Sequence, residues 1–230
     1  MVELFIANKN YSSWSLRPWV LMRELAIPFV ERQVPFSSGT NWASFRAFSP
    51  TGRVPCLHDA GTVIWDSLGI TEYLAERDAR IWPLDPKARA WARCAAAEMH
   101  SGFAALRQQC PMNCALRVQL GPLSESLQLD LARVSELWNE GIGLFGGPFL
   151  AGETFTAVDA FFAPVAFRVQ TYDLQLPGAG AGYARRLLAL VSMQAWQSAA
   201  VLEPWREPEH EAEVARTGTV IADLRPKADR

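Results

Sequence analysis

The chain lacks a strong charge bias and lacks any long hydrophobic run. Its 230 residues include 22 Lys and Arg against 24 Asp and Glu, for a formal net charge of −2. This balance gives no electrostatic reason to expect nucleic acid or an anionic membrane surface as a partner. No uninterrupted apolar stretch approaches the roughly 20 residues that cross a bilayer, and Met1-Val2-Glu3 begins no basic or long apolar segment. We therefore expect no membrane span and no secretory signal.

Cysteine is scarce as well. The chain has four cysteines, which are Cys56, Cys94, Cys110 and Cys114. They form no CxxC pair, and no histidine lies near them at the spacing of a metal site. We interpret the CxxxC pattern of Cys110 and Cys114 as two reduced thiols at the end of a helix. The sequence thus predicts a reduced, cytoplasmic protein with no metal.

Apolar residues are plentiful, since they make up half of the chain, enough for one or two domains with full cores. In residues 1–80 the patterns follow the order strand, helix, strand, irregular segment, strand, strand, helix. The strands are predicted at 2–7, 30–34, 54–58 and 62–65, and the helices at 16–25 and 68–77. This order is typical of a mixed α/β domain.

A helical region follows this domain. Residues 81–86 contain two prolines and are predicted as a linker. Helices are then predicted at 87–109, at 123–144, from 155 onward with a kink at Pro164, at 183–191 and at 195–202. Thr156 and Asp159 have the spacing of an acidic capping box. The predicted fold is therefore α/β plus all-α, with domains at 1–80 and 87–205 and a charged, loosely attached tail at 206–230.

The first predicted helix begins at a cluster of hydroxyl groups. Strand 2–7 leads through a polar turn into Tyr11-Ser12-Ser13-Trp14-Ser15. Unpaired backbone N–H groups and the positive end of the helix dipole meet at such a place and favour an anion there. A thiolate is such an anion. The alternative is that Ser13 and Ser15 only cap the helix.

Two residue pairs lie at other element ends of this domain. Val54-Pro55 begins a predicted strand, where the X-Pro bond can be cis and Val54 can pair its backbone with an extended, peptide-like ligand. The alternative is that Pro55 only ends the preceding loop. Asp66-Ser67 begins the last helix of the domain. Ser67 is either a plain N-cap or part of a helix end that binds a carboxylate while Asp66 faces an ammonium group.

These motifs, in this order, resemble those of the cytosolic glutathione transferases over nearly the whole chain. Val54-Pro55 is similar to the family's Val-cis-Pro pair and Asp66-Ser67 to its Glu/Gln-Ser pair. The run from Gly147 to Gly152, followed by Thr156-Ala157-Val158-Asp159, is similar to the capped helix of the family's helical domain. The resemblance implies a thioredoxin-like domain followed by an all-helical domain, glutathione as co-substrate, and a homodimer. The glutathione-binding residues that it implies are Arg53, Val54, Pro55, Asp66 and Ser67.

Within the family, Ser12-Ser13-Trp14-Ser15-Leu16-Arg17 is similar to the Ser-Ser-Cys-Ser-Trp-Arg motif of the zeta class, which includes maleylacetoacetate isomerases. By this match Ser12 takes the position of the catalytic serine, with Ser13 as the second candidate donor to the sulfur. The sequence departs from the class at two places. Trp14 replaces the cysteine, and a gapless count puts Thr171 where zeta enzymes hold a substrate carboxylate with arginine, with Arg168 about one turn earlier.

The resemblance implies a transferase that adds glutathione to a small electrophile. One alternative is glutathione-dependent cis–trans isomerisation of the maleylacetoacetate type, and another is a non-catalytic binding module. The second substrate would lie between the domains. The residues expected around it are Trp14, Met99, His100, Phe103, Arg107 and Arg168. A histidine in an alanine-rich helix is more often packed or solvated than catalytic, so both interpretations of His100 stay open.

Overall fold

The first part of the structure is a four-stranded sheet with helices packed on it. The computed structural model describes residues 1–37 and 39–226. Its first elements are β1 (Glu3–Ile6), α1 (Ser13–Glu24), β2 (Val30–Gln33), α2 (Trp42–Arg46), β3 (Cys56–Asp59), β4 (Thr62–Trp65) and α3 (Ser67–Ala75). The strand order is β2-β1-β3-β4, with β1 parallel to β2 and antiparallel to β3. The predicted thioredoxin-like domain is therefore confirmed.

Alternating burial of side chains explains the first strand. In β1, Leu4 and Ile6 are fully buried while the residues beside them are partly exposed, as expected of a half-buried strand. The short helix α2 was not predicted from the sequence. It has five residues and buries only Phe45, which is too little to show a helical period.

The second part is built mainly of helices around α7. Its elements are α4 (Pro86–Ser101), α5 (Ala104–Gln109), β5 (Leu116–Leu120), α6 (Glu125–Phe145), α7 (Ala157–Tyr172), α8 (Gly180–Leu188), α9 (Val191–Leu202), α10 (Pro208–Thr217) and β6 (Gly218–Asp223). Nearly every side chain of α7 is buried, because α7 packs on α1 of the first domain and on α4 and α8. Among the helices within the described residues, none is both long and apolar enough to cross a membrane.

A buried carboxylate fixes the start of α7. Asp159 accepts the N–H of the N-cap Thr156 at 2.9 Å, which is the carboxylate bond of the predicted capping box. It also accepts the N–H of Leu150 at 3.0 Å and the hydroxyl of Tyr183 at 2.8 Å. Burial, opposed by these hydrogen bonds, raises the pKa of Asp159 from 3.8 to about 6.

The predicted helix 87–109 is two helices in the structure. Phe103, between α4 and α5, has φ 59°, a left-handed conformation that side chains other than Asn, Asp and Gly rarely adopt. Its ring is 6 % exposed, so the break places an aromatic ring in the core. The prediction of one continuous helix was wrong because alanine-rich periodicity does not reveal such a turn.

The segment predicted as a linker is packed rather than free. Ile81 and Trp82 are buried, and the carbonyl of Ile81 accepts the N–H of Ala157 at 2.8 Å. Asp85 caps α4 by accepting the N–H of Ala88 at 2.8 Å, with Pro86 as the first helical residue. Proline is tolerated there because its missing N–H would have no partner within the helix.

The predicted helical second domain is confirmed, and the structure adds a two-stranded sheet to it, with residues 206–226 of the segment predicted as a tail packed against the domain. β6 pairs antiparallel with β5, and the N–H of Leu224 reaches the carbonyl of Ala115 at 3.0 Å. Val214 of α10 is buried. Arg225 makes two hydrogen bonds to Glu211, at 2.7 and 2.9 Å. Some of the charges that suggested a solvated tail pair with one another, as Arg225 does with Glu211 and Asp223, and a six-residue strand leaves little periodic signal.

Candidate functional site

Two adjoining cavities open along the boundary between the domains. The N-terminal cavity, of about 760 Å³, is formed by residues of the first domain, including Pro55, Asp66 and Ser67. The interdomain cavity, of about 420 Å³, has Ser12 and Ser13 on one side and residues of the helical domain on the other. Five residues belong to the walls of both cavities; they are Trp14, Asn41, Gly52, Arg53 and Val54. An extended molecule in the first cavity can therefore reach a second molecule in the other.

Ser12 provides a hydroxyl at the wall of the interdomain cavity. It is the N-cap residue of α1, but its side chain makes no capping bond. Its Oγ donates instead to Oγ of Ser15 at 2.7 Å, and Ser15 accepts the N–H of Ala7 at 3.3 Å. Ser13, half-buried, lines the same cavity. The N-cap position belongs to Ser12, so Ser13 and Ser15 are not the caps that the alternative interpretation made them.

Tyr11 precedes these serines, but its phenol is already engaged. Its hydroxyl donates to Oε1 of Glu211 at 2.6 Å. Burial, and then Glu211, raise the pKa of Tyr11 to about 12. The phenol therefore keeps its proton at neutral pH and offers it to Glu211 rather than to a ligand.

Val54 lines both cavities. The Val54–Pro55 peptide is cis, as the sequence suggested. Val54 precedes β3, and its N–H and C=O make no backbone hydrogen bond within residues 1–37 and 39–226. Arg53 lies next to it, exposed at the rim that the two cavities share.

Asp66 and Ser67 form the start of α3 in a different way from the one predicted. Asp66, with φ 69°, is the N-cap, and its Oδ1 accepts the N–H of Leu68 at 2.7 Å. The interpretation of Ser67 as the cap is therefore wrong. Ser67 is fully buried at the first position of the helix, and its Oγ accepts a hydrogen bond from Nη1 of Arg17 at 3.3 Å.

Arg17 was not predicted as a site residue. Its guanidinium is 1 % exposed, lies over the rings of Trp14 and Phe161 at 4.2 and 4.8 Å, and leaves Nε without a partner. No carboxylate in the described part of the chain lies within ion-pair distance of it. Burial, and then Arg107 and Arg168, lower the pKa of Arg17 well below its usual value. A buried cation without a counter-charge favours an anion in the adjoining cavity.

Of the predicted second-substrate residues, Trp14, Arg107 and Arg168 line the interdomain cavity. Met99 and Phe103 do not, because they are buried in the core.

His100 lies behind the cavity wall rather than in it. Its ring meets Trp14 edge-on at 5.2 Å, and Nε2 lies 3.6 Å from Oδ2 of Asp66. Burial, with a smaller contribution from Arg17 and Arg107, lowers the pKa of His100 against the opposing effect of Asp66. His100 therefore connects the helical domain to the cap of α3.

Arg168 reaches the cavity from the C-terminal half of α7. Its Nε donates to the carbonyl of Cys110 at 2.8 Å and its Nη1 to that of Pro164 at 3.3 Å. Burial, and then Arg107, lower its pKa to about 10. Thr171, the position that the gapless count indicated, donates its hydroxyl to the carbonyl of Asn113 and is buried. The arginine one turn earlier is thus the one that faces the cavity.

Two wall residues come from α10, in the segment predicted as a tail. They are His210 and Glu213. A local signal for α10 exists in the sequence, where Glu207-Pro208 begins the helix and Glu207 accepts the N–H of His210. Nothing in the sequence shows that this helix lies against Ser12.

Cysteine contributes no reactive group to the cavities. Cys56, Cys110 and Cys114 are buried free thiols and Cys94 is an exposed one. Burial raises the pKa of Cys56 to about 11 and that of Cys110 to about 12. Within the described residues, no three His, Cys, Asp or Glu side chains cluster as metal ligands do.

Two family models match the chain. The glutathione S-transferase N-terminal domain matches residues 11–77, and the glutathione S-transferase C-terminal domain matches residues 74–207. The chain belongs to the glutathione S-transferase family. None of the curated proteins is similar enough in sequence to match this family member.

Solved structures of other glutathione transferases share its fold. A glutathione transferase homolog from Burkholderia gl BGR1, with bound glutathione, has a TM-score of 0.66 and 24 % identity over 86 % of this chain and 97 % of that one. A theta class enzyme from Xanthomonas axonopodis pv. citri, also with glutathione bound, has a TM-score of 0.62 and 22 % identity over 84 % and 95 %. Glutathione transferase Omega 3C from Trametes versicolor has a TM-score of 0.65 and 18 % identity over 90 % of each chain.

Proposed function

We propose that this chain binds glutathione, stabilises its thiol as a thiolate and transfers it to a small electrophile. The observation that supports this most is the pair of cavities with a common wall at Trp14, Arg53 and Val54. One cavity holds groups suited to a peptide, and the other begins at the hydroxyls of Ser12 and Ser13. The nucleophile comes from glutathione, so no protein cysteine is required.

Glutathione would extend along the N-terminal cavity. Its γ-glutamyl carboxylate would meet the start of α3 at Ser67, with Arg17 behind it, because helix N-termini and guanidinium groups favour carboxylates. Its ammonium group would meet the exposed carboxylate of Asp66. Its peptide backbone would pair with Val54, and its sulfur would then lie at the common wall, near Ser12.

The electrophile would occupy the interdomain cavity, and two cations in its wall favour an anionic one. Arg107 donates to the carbonyls of Met99, His100 and Gly102 but uses only Nε and Nη2. Arg168 likewise leaves Nη2 unused by the described residues. Guanidinium N–H groups facing a cavity are well suited to a carboxylate.

This observation supports a second candidate function, the glutathione-dependent isomerase of the zeta class. A thiolate that adds to one carbon of a dienone double bond allows rotation about the resulting single bond. Its expulsion restores the double bond, so glutathione is not consumed. Trp14, in place of the motif's cysteine, is the residue that separates this chain from that class.

The experiment that tests these functions has two steps. The protein is first passed over immobilised glutathione, and bound protein is then assayed with glutathione and two electrophiles, a neutral chloronitrobenzene and a dicarboxylic cis-dienone. Consumption of glutathione supports conjugation, and isomerisation without consumption supports the second candidate. Retention without turnover of either would indicate a non-catalytic binding module, and no retention would contradict the proposed glutathione site.

Arg168→Met tests the anionic substrate. We expect it to raise KM for the dicarboxylic substrate at least tenfold and to leave KM for the neutral one within about threefold. Arg185→Met, an exposed arginine of α8, is the matched control. Equal effects of Arg168→Met on both substrates would contradict a carboxylate contact.

A further inference from the structure

We propose that His210, held by Glu207, is the base that accepts the thiol proton of glutathione. The inference rests on the proposed function and adds the group that takes the proton, which hydrogen bonding by Ser12 alone does not provide. It assigns a chemical role to α10.

Glu207 fixes the orientation of the imidazole. Its Oε2 accepts the backbone N–H of His210 at 2.7 Å and lies 2.6 Å from Nδ1 of the same residue. Glu207 is 4 % exposed, whereas the histidine side chain is 33 % exposed. With Nδ1–H donated to the carboxylate, Nε2 carries the lone pair. Nε2 has no partner among the residues that the structure describes.

The position of His210 in the structure supports its role as the base. His210 lines the interdomain cavity together with Ser12 and Ser13. Its ring stacks on Tyr11, the neighbour of Ser12, with centroids 5.0 Å apart and planes at 26°. The phenol of Tyr11 is in turn held by Glu211 of the same helix. The imidazole therefore packs against the turn that carries Ser12, the proposed donor to the sulfur.

The surroundings also suit the protonated ring. Phe36 stacks on the imidazole as well, with centroids 5.0 Å apart and planes at 21°, and aromatic faces stabilise a cation. Burial raises the pKa of Glu207, but the hydrogen bonds from the backbone and ring of His210 outweigh it, so the net pKa is below its usual value. The carboxylate of Glu207, 2.6 Å from Nδ1, is in place to balance the positive charge of the ring once the ring holds the proton.

Other charged and titratable groups face the ring from each element around it. From α10 and its N-cap these are Glu207, Glu211 and Glu213, and from the turn before α1 it is Tyr11, which donates to Glu211. Across the cavity lie Arg53, Arg107 and Arg168. Tyr11 keeps its proton throughout the neutral range, because burial and Glu211 raise its pKa to about 12.

The proton and electron balance of the step is simple. Nε2 takes the proton of the glutathione S–H, and the electron pair of that bond stays on sulfur, which accepts the hydrogen bond of Ser12. The thiolate then forms a bond to carbon. In a substitution the leaving group departs with the electrons of its bond, and the imidazolium proton goes to it or to water. In an addition the imidazolium returns its proton to the carbanion carbon.

The test uses the full chain in four forms, which are the wild type and the variants His210→Gln, Glu207→Gln and His58→Gln. Glutamine at 210 can still donate to Glu207 but cannot take a proton. His58→Gln is the matched control, because His58 lies on β3 and its Nε2 contacts the carbonyl of Phe48 at 2.7 Å. The protein is mixed with glutathione at pH 7 in weak buffer. Ultraviolet absorbance counts the thiolate formed, and an indicator dye counts the protons released.

We expect the wild type and His58→Gln to release clearly less than one proton per thiolate, because His210 retains it. His210→Gln should release one proton per thiolate. Its kcat should fall at least tenfold, within the ~10²–10⁴-fold worth of a general base, while KM for glutathione stays within about threefold. Glu207→Gln, a change at a positioning residue, should shift the acidic limb of kcat/KM to lower pH.

The outcomes separate the two proposals. A thiolate in the wild type with one proton released per thiolate would overturn the role of His210 and leave glutathione activation intact. Absence of any thiolate in the wild type would contradict the proposed function itself. If His210→Gln fails to fold, His210→Phe, which keeps a ring beside Tyr11 and Phe36, is measured in the same way.

Discussion

Ser12→Ala is the most direct test of the proposal that a serine hydroxyl lowers the pKa of the glutathione thiol. Ser12 is 5 % exposed, and its hydroxyl forms a short chain with Ser15 and the N–H of Ala7. When a thiolate is bound, the Ser12 proton can turn to the sulfur while the Ser15 proton turns to Ser12. The oxygen positions need not change, because each hydroxyl can donate one bond and accept two.

The size of the expected pKa shift follows from the strength of this hydrogen bond. A hydrogen bond to a charged group contributes about 1.5–3 kcal/mol, and one pKa unit corresponds to about 1.36 kcal/mol. If Ser12 donates to the sulfur as proposed, its hydroxyl lowers a thiol pKa that is ordinarily about 8.5 by about one to two units. The dipole of α1 supplies only about 0.3–1 kcal/mol. Ser12→Ala should therefore raise the pKa of bound glutathione by about one to two units, and Ser15→Ala, which removes only the second link, by less.

The assay is an ultraviolet titration of the enzyme-bound thiolate, followed by steady-state kinetics. At a pH below the pKa of glutathione bound to either protein, the thiolate fraction should be about 10- to 100-fold lower in Ser12→Ala than in the wild type. The rate of conjugation should fall by the same factor. The affinity for glutathione should stay within a few fold, since other groups hold the peptide. Ser101→Ala, at an exposed position of α4, is the matched control.

Two results would refute this reasoning. If Ser13→Ala raises the pKa and Ser12→Ala does not, the sulfur is held by the half-buried hydroxyl instead. If neither variant shifts the titration, the hydroxyl groups at the start of α1 do not act on the thiol.

Three further predictions concern the ligand, the core and the assembly. Ser67→Ala and Asp66→Ala should each raise KM for glutathione more than they lower kcat; an unchanged KM in both would place glutathione elsewhere. The pKa of Asp159 is raised to about 6 by burial, so its charged form is disfavoured in the folded state. We therefore expect the free energy of unfolding of the wild type, measured against that of Asp159→Asn, to rise by up to about 3 kcal/mol as pH falls from 7 to 4. If chemical denaturation shows the same difference between the two proteins at every pH, this expectation is contradicted. Light scattering at micromolar concentration should give about twice 25.5 kDa, because exposed apolar side chains such as Leu84 and Val191 suit a twofold interface; the mass of one chain would contradict a dimer.

Much of the fold could be predicted because its signals are local. Alternation in β1, the hydroxyl-rich turn before α1 and the Thr156–Asp159 spacing each lie within a few residues, and the structure confirms them. The break at Phe103 and the pairing of β5 with β6 could not be predicted. Both depend on what the surrounding core accommodates, which periodicity along the chain does not record.

Some residues of the candidate site could likewise be predicted from the sequence, and others could not. Ser12, Val54 and Asp66 were found from their places at element ends, where unpaired backbone groups and polar side chains coincide. Arg17 was missed, because a basic residue in a helix ordinarily points to water. Met99 and Phe103 were assigned to the cavity because helical spacing alone does not distinguish a residue that faces a cleft from one that faces the core.

The sequence by itself therefore determined the family, the order of the two domains and the groups that could hold a peptide thiol. Only the tertiary structure decided which charged side chains line the cavity beside Ser12. Arg168 and His210 are more than 150 positions from Ser12 in the chain, and they reach its cavity because α7 packs on α1 and because β6 pairs with β5 beside α10. Such contacts follow from the packing of whole elements, and no local pattern at either residue specifies them.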